Sequence, residues 1–348
     1  MSNFQNKINK NKKGIWRYAD FYDEFVKQEN RLSLDSNESR DSVGAKHLQN
    51  MKNLYFKRED ENKCGSLKER SLAYQVSLAK QSKKKELVIS TSGNAGIAAA
   101  AYCQKTGIKL YIFVSPETEK AKIVEMQKYN PIIIKSFRAM RLANYLAAKY
   151  KIENLRPSLN NSSIEGFKSI AFEIFEDLGE VDAVFTYVTS GSSFIGIGRA
   201  YKYLLESSEI KKLPKLFTVQ SGEIFSIASE FEEIQKQRSI AGRLGVKNTR
   251  RKKEILELIK LSGGSGIYVS DEEIDKAKNI LENNNIYTSF EGCASFAGIK
   301  TVTEKNKFNK VVCILSGKLR EKTDKIDESR IYKAENFEEV DEIVELKK

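Results

Sequence analysis

From about residue 55 onward, short runs of β-branched and aromatic residues alternate with longer stretches in which apolar positions recur every three or four residues. A period of about two belongs to strands and one of about 3.6 to helices, so the chain reads as β and α elements in turn. Strands are predicted at 54–57, 86–90, 110–114, 132–135, 183–188, 216–220, 267–269 and 311–315. Between them, helices are predicted at 65–80, 94–106, 117–129, 139–150, 166–178, 195–206, 271–283 and 294–303. That order defines an α/β fold with mostly parallel strands. Parallel strands buried on both faces carry continuous apolar runs, and the segments at 183–188 (AVFTYV) and 311–315 (VVCIL) come close enough to be central strands.

The polar stretch at 153–163 separates an early set of βα units from a later one and is the best domain boundary in the chain. A second irregular stretch, 235–253, is basic and contains glycine, as a mobile loop or an interface segment would. The acidic end at 335–345 reads as a terminal helix or tail.

Composition removes several kinds of chemistry. Among 348 residues there is one histidine, His47, so neither an HExxH zinc site nor a pair of imidazoles can form, and His47 itself reads as a surface or cap residue. Cys64, Cys103, Cys293 and Cys313 have no CxxC spacing, which speaks against a metal site or a disulfide framework and for a reducing cytoplasm. The N-terminal segment MSNFQNKINKNKKGIW has charge but no apolar run behind it, as a signal peptide would need. No stretch of about 18 apolar residues predicts a membrane span.

Lys and Arg total 59 against 47 acidic residues, a formal charge of +12. The basic clusters at 83–85, at 250–253 and at Lys305, Lys307 and Lys310 are not interleaved with aromatics, so they read as a lysine-rich surface and not as a nucleic-acid site.

Three segments carry candidate chemistry. Residues 90–96 (STSGNAG) follow a strand and open a helix, where backbone N–H groups and the helix dipole attract an anion. Thr189, Ser190, Gly191, Ser192 and Ser193 repeat that arrangement after a central strand. Either loop alone is often only a Gly- and Ser-rich turn, but two anion cradles in one sheet imply a ligand, or a ligand pair, with two anionic ends. The third segment, 57–70 (KREDENKCGSLKER), sets Lys68 in the first turn of a helix. The dipole there disfavours an ammonium: in a lysine-rich chain the plain reading is a solvated lysine, and the functional one is a lysine held near neutral for Schiff-base chemistry.

Together these segments resemble the fold type II pyridoxal-phosphate enzymes, the tryptophan synthase β-subunit superfamily. Residues 57–70 are similar to the family's KxExxNPTGSFKDR motif, with Cys64 where threonine is usual and Glu69 where aspartate is usual. The resemblance implies two mostly parallel, open twisted sheets with helices on both faces, and pyridoxal 5'-phosphate as cofactor. It implies that Lys68 bonds covalently to the cofactor and shuttles the α-proton, and that Asn94 meets the cofactor's phenolic oxygen. Thr91, Ser92 and the backbone around Gly93 and Ala95 would hold the substrate carboxylate. Residues 189–193 would hold the cofactor phosphate, with hydroxyls replacing some of the family's glycines. Ser316 would meet the pyridine nitrogen; a neutral hydroxyl there leaves the ring unprotonated and favours elimination or replacement over transamination. Residues 1–85 and 156–348 would form a large cofactor domain, and 86–155 a small mobile substrate domain. A homodimer is implied as well.

Within the superfamily the chain looks most like threonine synthase, from the GIWRY segment at 14–18 to about Arg320, including 158–160 (SLN), 165–173 (EGFKSIAFE) and 262–264 (SGG). The substrate-binding set would include Asn160 and Ser163. Two positions depart from that pattern: Ser163 stands where an arginine usually engages the substrate phosphate, and Ala95 lacks a usual hydroxyl. The departures lead us to expect that phosphohomoserine reacts poorly and that a smaller or less charged amino acid reacts better. The readings carried forward are a threonine synthase-like lyase acting by β/γ-elimination or replacement on a small, or O-activated, amino acid; a serine/threonine dehydratase or a β-replacement synthase of the cysteine synthase type; and, from another class, a non-catalytic sensor of the cofactor or an amino acid.

Overall fold

The structure, a computed structural model, describes residues 3–34, 42–44, 53–235, 238–242, 249–303 and 307–347. His47, Lys305 and parts of the 235–253 stretch lie outside them. In chain order the strands are β1 (Ser42–Gly44), β2 (Leu54–Lys57), β3 (Glu86–Thr91), β4 (Lys109–Val114), β5 (Ile132–Lys135), β6 (Glu153–Asn154), β7 (Ala183–Tyr187), β8 (Lys215–Gln220), β9 (Ser265–Tyr268), β10 (Val311–Ile314) and β11 (Ile331–Lys333). The helices are α1 (Asn3–Lys7), α2 (Lys68–Gln81), α3 (Asn94–Thr106), α4 (Lys120–Gln127), α5 (Ala139–Tyr150), α6 (Glu165–Leu178), α7 (Ser192–Glu206), α8 (Lys252–Ser262), α9 (Asp271–Glu282), α10 (Phe290–Thr303) and α11 (Phe337–Leu346).

The chain divides into two compact units, one of Met1–Asp23, Ser36–Leu67 and Ile164–Leu319, the other of Glu24–Asp35, Lys68–Ser163 and Arg320–Lys348. Each is built on its own sheet, as the α/β pattern with two sheets requires. In the first unit the strand order is β1-β2-β10-β7-β8-β9, parallel except for the antiparallel edge strand β1. β7 and β10 are buried along their whole length, the position their apolar runs predict. Alternate residues of β7 point to one face, where Phe185 stacks on Phe217 of β8 at 4.5 Å and joins a core that includes Phe296 of α10. Close approach of α6 and α7 depends on Gly196, since a Cβ there would stand 2.7 Å from the Ile164 carbonyl oxygen.

In the second unit the order is β11-β5-β4-β3-β6, all parallel. Val88, Tyr111, Phe113 and Ile134 form a core with Leu142, Ala143 and Leu146 of α5 and Val340 and Val344 of α11, while α2, α3 and α4 pack in succession. Residues 68–85 and the segment from Arg320 onward, assigned by sequence to the larger domain, lie in this unit. The reason is packing: α2 sits on α3, β11 extends the sheet beside β5, and α11 packs on α5.

Element boundaries shift where local bonding overrides periodicity. The helix predicted from 65 starts at Lys68, because Gly65 has φ +71° and Ser66 bridges to Gly317. The helix predicted from 195 starts at Ser192, because the Ile195 N–H already bonds the Gly191 carbonyl. The 235–253 stretch, expected to be irregular throughout, ends in the start of α8.

Candidate active site

The first unit brings several predicted residues to one edge of its sheet. β2, β10 and β7 are neighbours and parallel, so the segments leaving their C-terminal ends emerge side by side. After β2 the chain turns at Asn62, whose Nδ2 donates to Glu59 Oε2 at 2.8 Å and to the Ser66 carbonyl at 3.3 Å. Residues 65–67 then run against 316–318: the Leu67 N–H donates to the Ser316 carbonyl at 3.0 Å and the Lys318 N–H to the Gly65 carbonyl at 2.8 Å. The residue preceding Lys68 is thereby fixed against Ser316. Gly317 is held from its other side by the Ser289 N–H at 2.7 Å and the Thr288 hydroxyl at 2.9 Å.

After β7, Ser190, Ser192 and Ser193 are buried and Thr189 is half-buried. Gly191 caps α7 with φ +83°, and a Cβ there would lie 2.3 Å from Ile255 Cδ1, so any side chain would be both strained and obstructed. The N–H groups of Ser193 and Phe194 precede the first intrahelical bond, made by Ile195 to Gly191 at 3.0 Å. The geometry is that of an anion cradle at a helix N-terminus.

The second unit holds the other predicted residues. Lys68 is the first residue of α2 and is half-buried. β3 ends at Thr91, whose Oγ1 accepts from the Gly93 N–H at 3.0 Å; Ser92 is exposed, and Gly93 has φ +142°. Asn94 opens α3, and its Oδ1 is buried without a hydrogen-bond partner. The two Gly/Ser loops therefore follow strands of different sheets, β3 and β7, and not of one sheet as the sequence suggested. Asn160 donates from Nδ2 to Glu153 Oε1 at 3.2 Å, and its Oδ1 accepts from the Ser162 N–H at 2.9 Å. The Ser163 hydroxyl, fully buried, donates to the Pro157 carbonyl at 2.9 Å. Both side chains are engaged in shaping their own segment.

Cations near these loops are mostly committed. Arg156 is carried next to β3 by the Leu155 N–H bond to the Val88 carbonyl, and its Nη1 donates to the Ser90 carbonyl and hydroxyl at 3.0 and 2.9 Å. Burial lowers its pKa. Lys168, in the first unit, is paired with Glu165 at 2.8 Å and Asp23 at 2.9 Å. Sequence reasoning missed Lys122, whose stem lies on the Gly93 turn: a Cβ on Gly93 would stand 2.2 Å from Lys122 Cδ. Its ammonium pairs with Glu119 at 2.7 Å. Only tertiary packing reveals that proximity, since Lys122 reads as an ordinary surface lysine of α4.

Thiol chemistry has no support. The four cysteines are buried, and burial pushes the thiols of Cys103 and Cys293 up to about 12, far from a nucleophilic thiolate at neutral pH. Among the described residues no helix is long and apolar enough to cross a membrane.

The sequence pattern of the pyridoxal-phosphate dependent enzymes matches residues 42–317, and the chain belongs to that family; its cofactor is pyridoxal 5'-phosphate. The chain is similar to threonine synthase of Methanocaldococcus jannaschii, 27% identical over 335 residues that cover 90% of this chain and 82% of that enzyme. It is also similar to serine racemase of Schizosaccharomyces pombe, 24% identical over 76% of this chain and 83% of that enzyme. Among solved structures, the processed form of threonine deaminase isoform 2 from Solanum lycopersicum superposes with a TM-score of 0.68 at 20% identity, covering 88% of this chain and 82% of that one, which supports the fold. The residues suit the cofactor's chemistry: a helix N-terminus with a glycine turn for a phosphate, and a buried, orphaned amide oxygen at Asn94.

Proposed function

We propose that the protein is a threonine synthase-like, pyridoxal 5'-phosphate-dependent lyase that eliminates or replaces a leaving group at the β- or γ-carbon of a small amino acid. The observation that carries this reading is the tie between 65–67 and 316–318, which fixes the residue before Lys68 against the backbone of Ser316, a residue whose side chain is a neutral hydroxyl and not a carboxylate. When bound, the cofactor supplies the electron sink for negative charge developing at the substrate α-carbon.

The chain's own residues do the rest. Lys68 would hold the cofactor through Nζ and, once the substrate amine has displaced it, its free amine would take the α-proton and return a proton to the departing group. The loop at 189–193 holds the phosphate through N–H groups and hydroxyls. Asn94 orients the ring at its phenolic oxygen. Ser316 would meet the pyridine nitrogen with a neutral hydroxyl, a partner that suits elimination or replacement. Thr91, Ser92 and the backbone of Gly93 and Ala95 hold the substrate carboxylate, with Asn160 and Ser163 bounding the pocket. A homodimer in a reducing cytoplasm completes the reading, consistent with cysteines that form no disulfide. Sedimentation equilibrium at twice the chain mass checks the assembly.

The substrate follows from charge. A phosphate in a dry site needs charge-assisted partners, yet Ser163 and Ala95 bring none, Arg156 is bonded to Ser90, and Lys122 shares its charge with Glu119. Serine, threonine or an O-activated serine is expected to exceed phosphohomoserine in kcat/KM by about tenfold or more. Steady-state kinetics across the four substrates decide it. Preference for phosphohomoserine would overturn this narrowing and turn attention to Lys122, whose replacement by methionine would then raise KM for the phosphorylated substrate alone.

A further inference from the structure

The basic cluster at 250–253 remains without a role. Arg250, Arg251, Lys252 and Lys253 gather at the start of α8, where the helix dipole disfavours cations. The acid in the first turn, Glu254, accepts from Arg199 Nε at 2.7 Å. Arg251 is half-buried with its Nε shielded from solvent. Its pKa is held below the usual arginine value, chiefly by burial and further by the like charge of Arg199, against the opposing pull of Glu254. A cation kept on these terms is stabilised when an anion binds beside it.

The neighbour of Arg251 is the Gly191 turn. A Cβ built on Gly191 would stand 3.9 Å from Arg251 Cβ, with Ile255 of the same helix closer still. One hydroxyl ties the two segments: Thr249 Oγ1 donates to the Ser190 carbonyl at 2.6 Å and accepts from the Arg251 N–H at 3.2 Å. The start of α8 is thus anchored to the loop that opens α7. That loop offers N–H groups and hydroxyls but no formal charge, while a phosphate monoester carries close to two negative charges.

We propose that Arg251 is a cofactor-binding residue that supplies the positive charge missing from the Thr189–Ser193 loop and so selects the phosphorylated cofactor over its unphosphorylated form. The inference rests on the reading that this loop holds the phosphate. Arginine suits the task because its planar fork can engage two phosphate oxygens and its charge persists at any working pH.

The test titrates the full-length apoprotein, freed of cofactor, with pyridoxal 5'-phosphate and separately with pyridoxal, following absorbance. Arg251→Met should weaken pyridoxal 5'-phosphate by about 10- to 100-fold and leave pyridoxal unchanged, with Arg251→Lys in between. Pyridoxal affinity also reports that the variant is folded. In holoenzyme, 31P NMR should show the phosphate dianion taking up a proton at higher pH in Arg251→Met, because loss of a nearby cation favours the monoanion. Unchanged affinity for both ligands, or equal weakening of both, overturns the proposal. Gly191→Val separates the two readings: if it keeps wild-type affinity for pyridoxal 5'-phosphate, the loop assignment fails, and if it abolishes binding while Arg251→Met has no effect, only the role of Arg251 fails.

Discussion

The charge on Lys57 is held away from water. Its Nζ lies 2.7 Å from Glu173 Oε2, with the two side chains 0% and 3% exposed, at the last residue of β2 where the Leu315 N–H also bonds the Lys57 carbonyl. Burying two charges costs more than their attraction commonly returns, but removing one partner leaves the other uncompensated. Lys57→Met is therefore expected to destabilise the protein by about 3–5 kcal/mol, and Lys57→Met with Glu173→Leu to recover most of it. Urea unfolding checks both; a loss below about 1 kcal/mol in the single variant would show that the pair does not hold the end of β2. At this scale the sequence was informative about residues beside glycine and serine, because turn chemistry is local. The Gly191 loop and the helix start at Lys68 stood out from local pattern, and the resemblance to the family motif then singled out Lys68 and Asn94, whereas the partners of Lys57, Arg156 and Lys122 depend on segments far apart in the chain and left no local mark.

Among elements, the strands were the most legible. Of the eight predicted strands, β2 and β5 match their ranges and the other six differ by one or two residues at an end, because parallel strands buried on both faces leave continuous apolar runs. The edge strands β6 and β11, two and three residues long, are too short for any period to register. α8 was not predicted at all: four cations at 250–253 stand where a helix N-terminus normally carries acids. Loops set by backbone conformation make sharper predictions than either. Gly93, with φ +142° and Lys122 packed over it, positions the N–H groups that precede α3. Gly93→Ala should raise KM for amino-acid substrates by about tenfold or more while leaving cofactor affinity within about twofold, since strain of roughly 1–3 kcal/mol falls on the loop proposed to hold the substrate. Substrate titration of the variant holoenzyme, followed by absorbance, measures both. An unchanged KM would place the substrate carboxylate elsewhere.

On the scale of the whole chain, two sheets of one architecture are assembled from interleaved segments, and the crossing points fall beside the candidate chemistry: Leu67 ends a segment of the first unit and Lys68 begins one of the second, while Ser163 and Ile164 flank another crossing. Sequence periodicity gave the α/β class but not this interleaving, because which helix packs on which sheet is decided by complementarity between distant segments. The family match over 42–317 establishes the cofactor and leaves open which lysine carries it. That lysine is the centre of the functional reading, and borohydride reduction of the holoenzyme followed by peptide mapping addresses it directly. Pyridoxyl label is expected on Lys68, with Lys68→Ala binding the cofactor only noncovalently and taking no label. Label on any other lysine, or covalent attachment that survives in Lys68→Ala, would contradict the assignment.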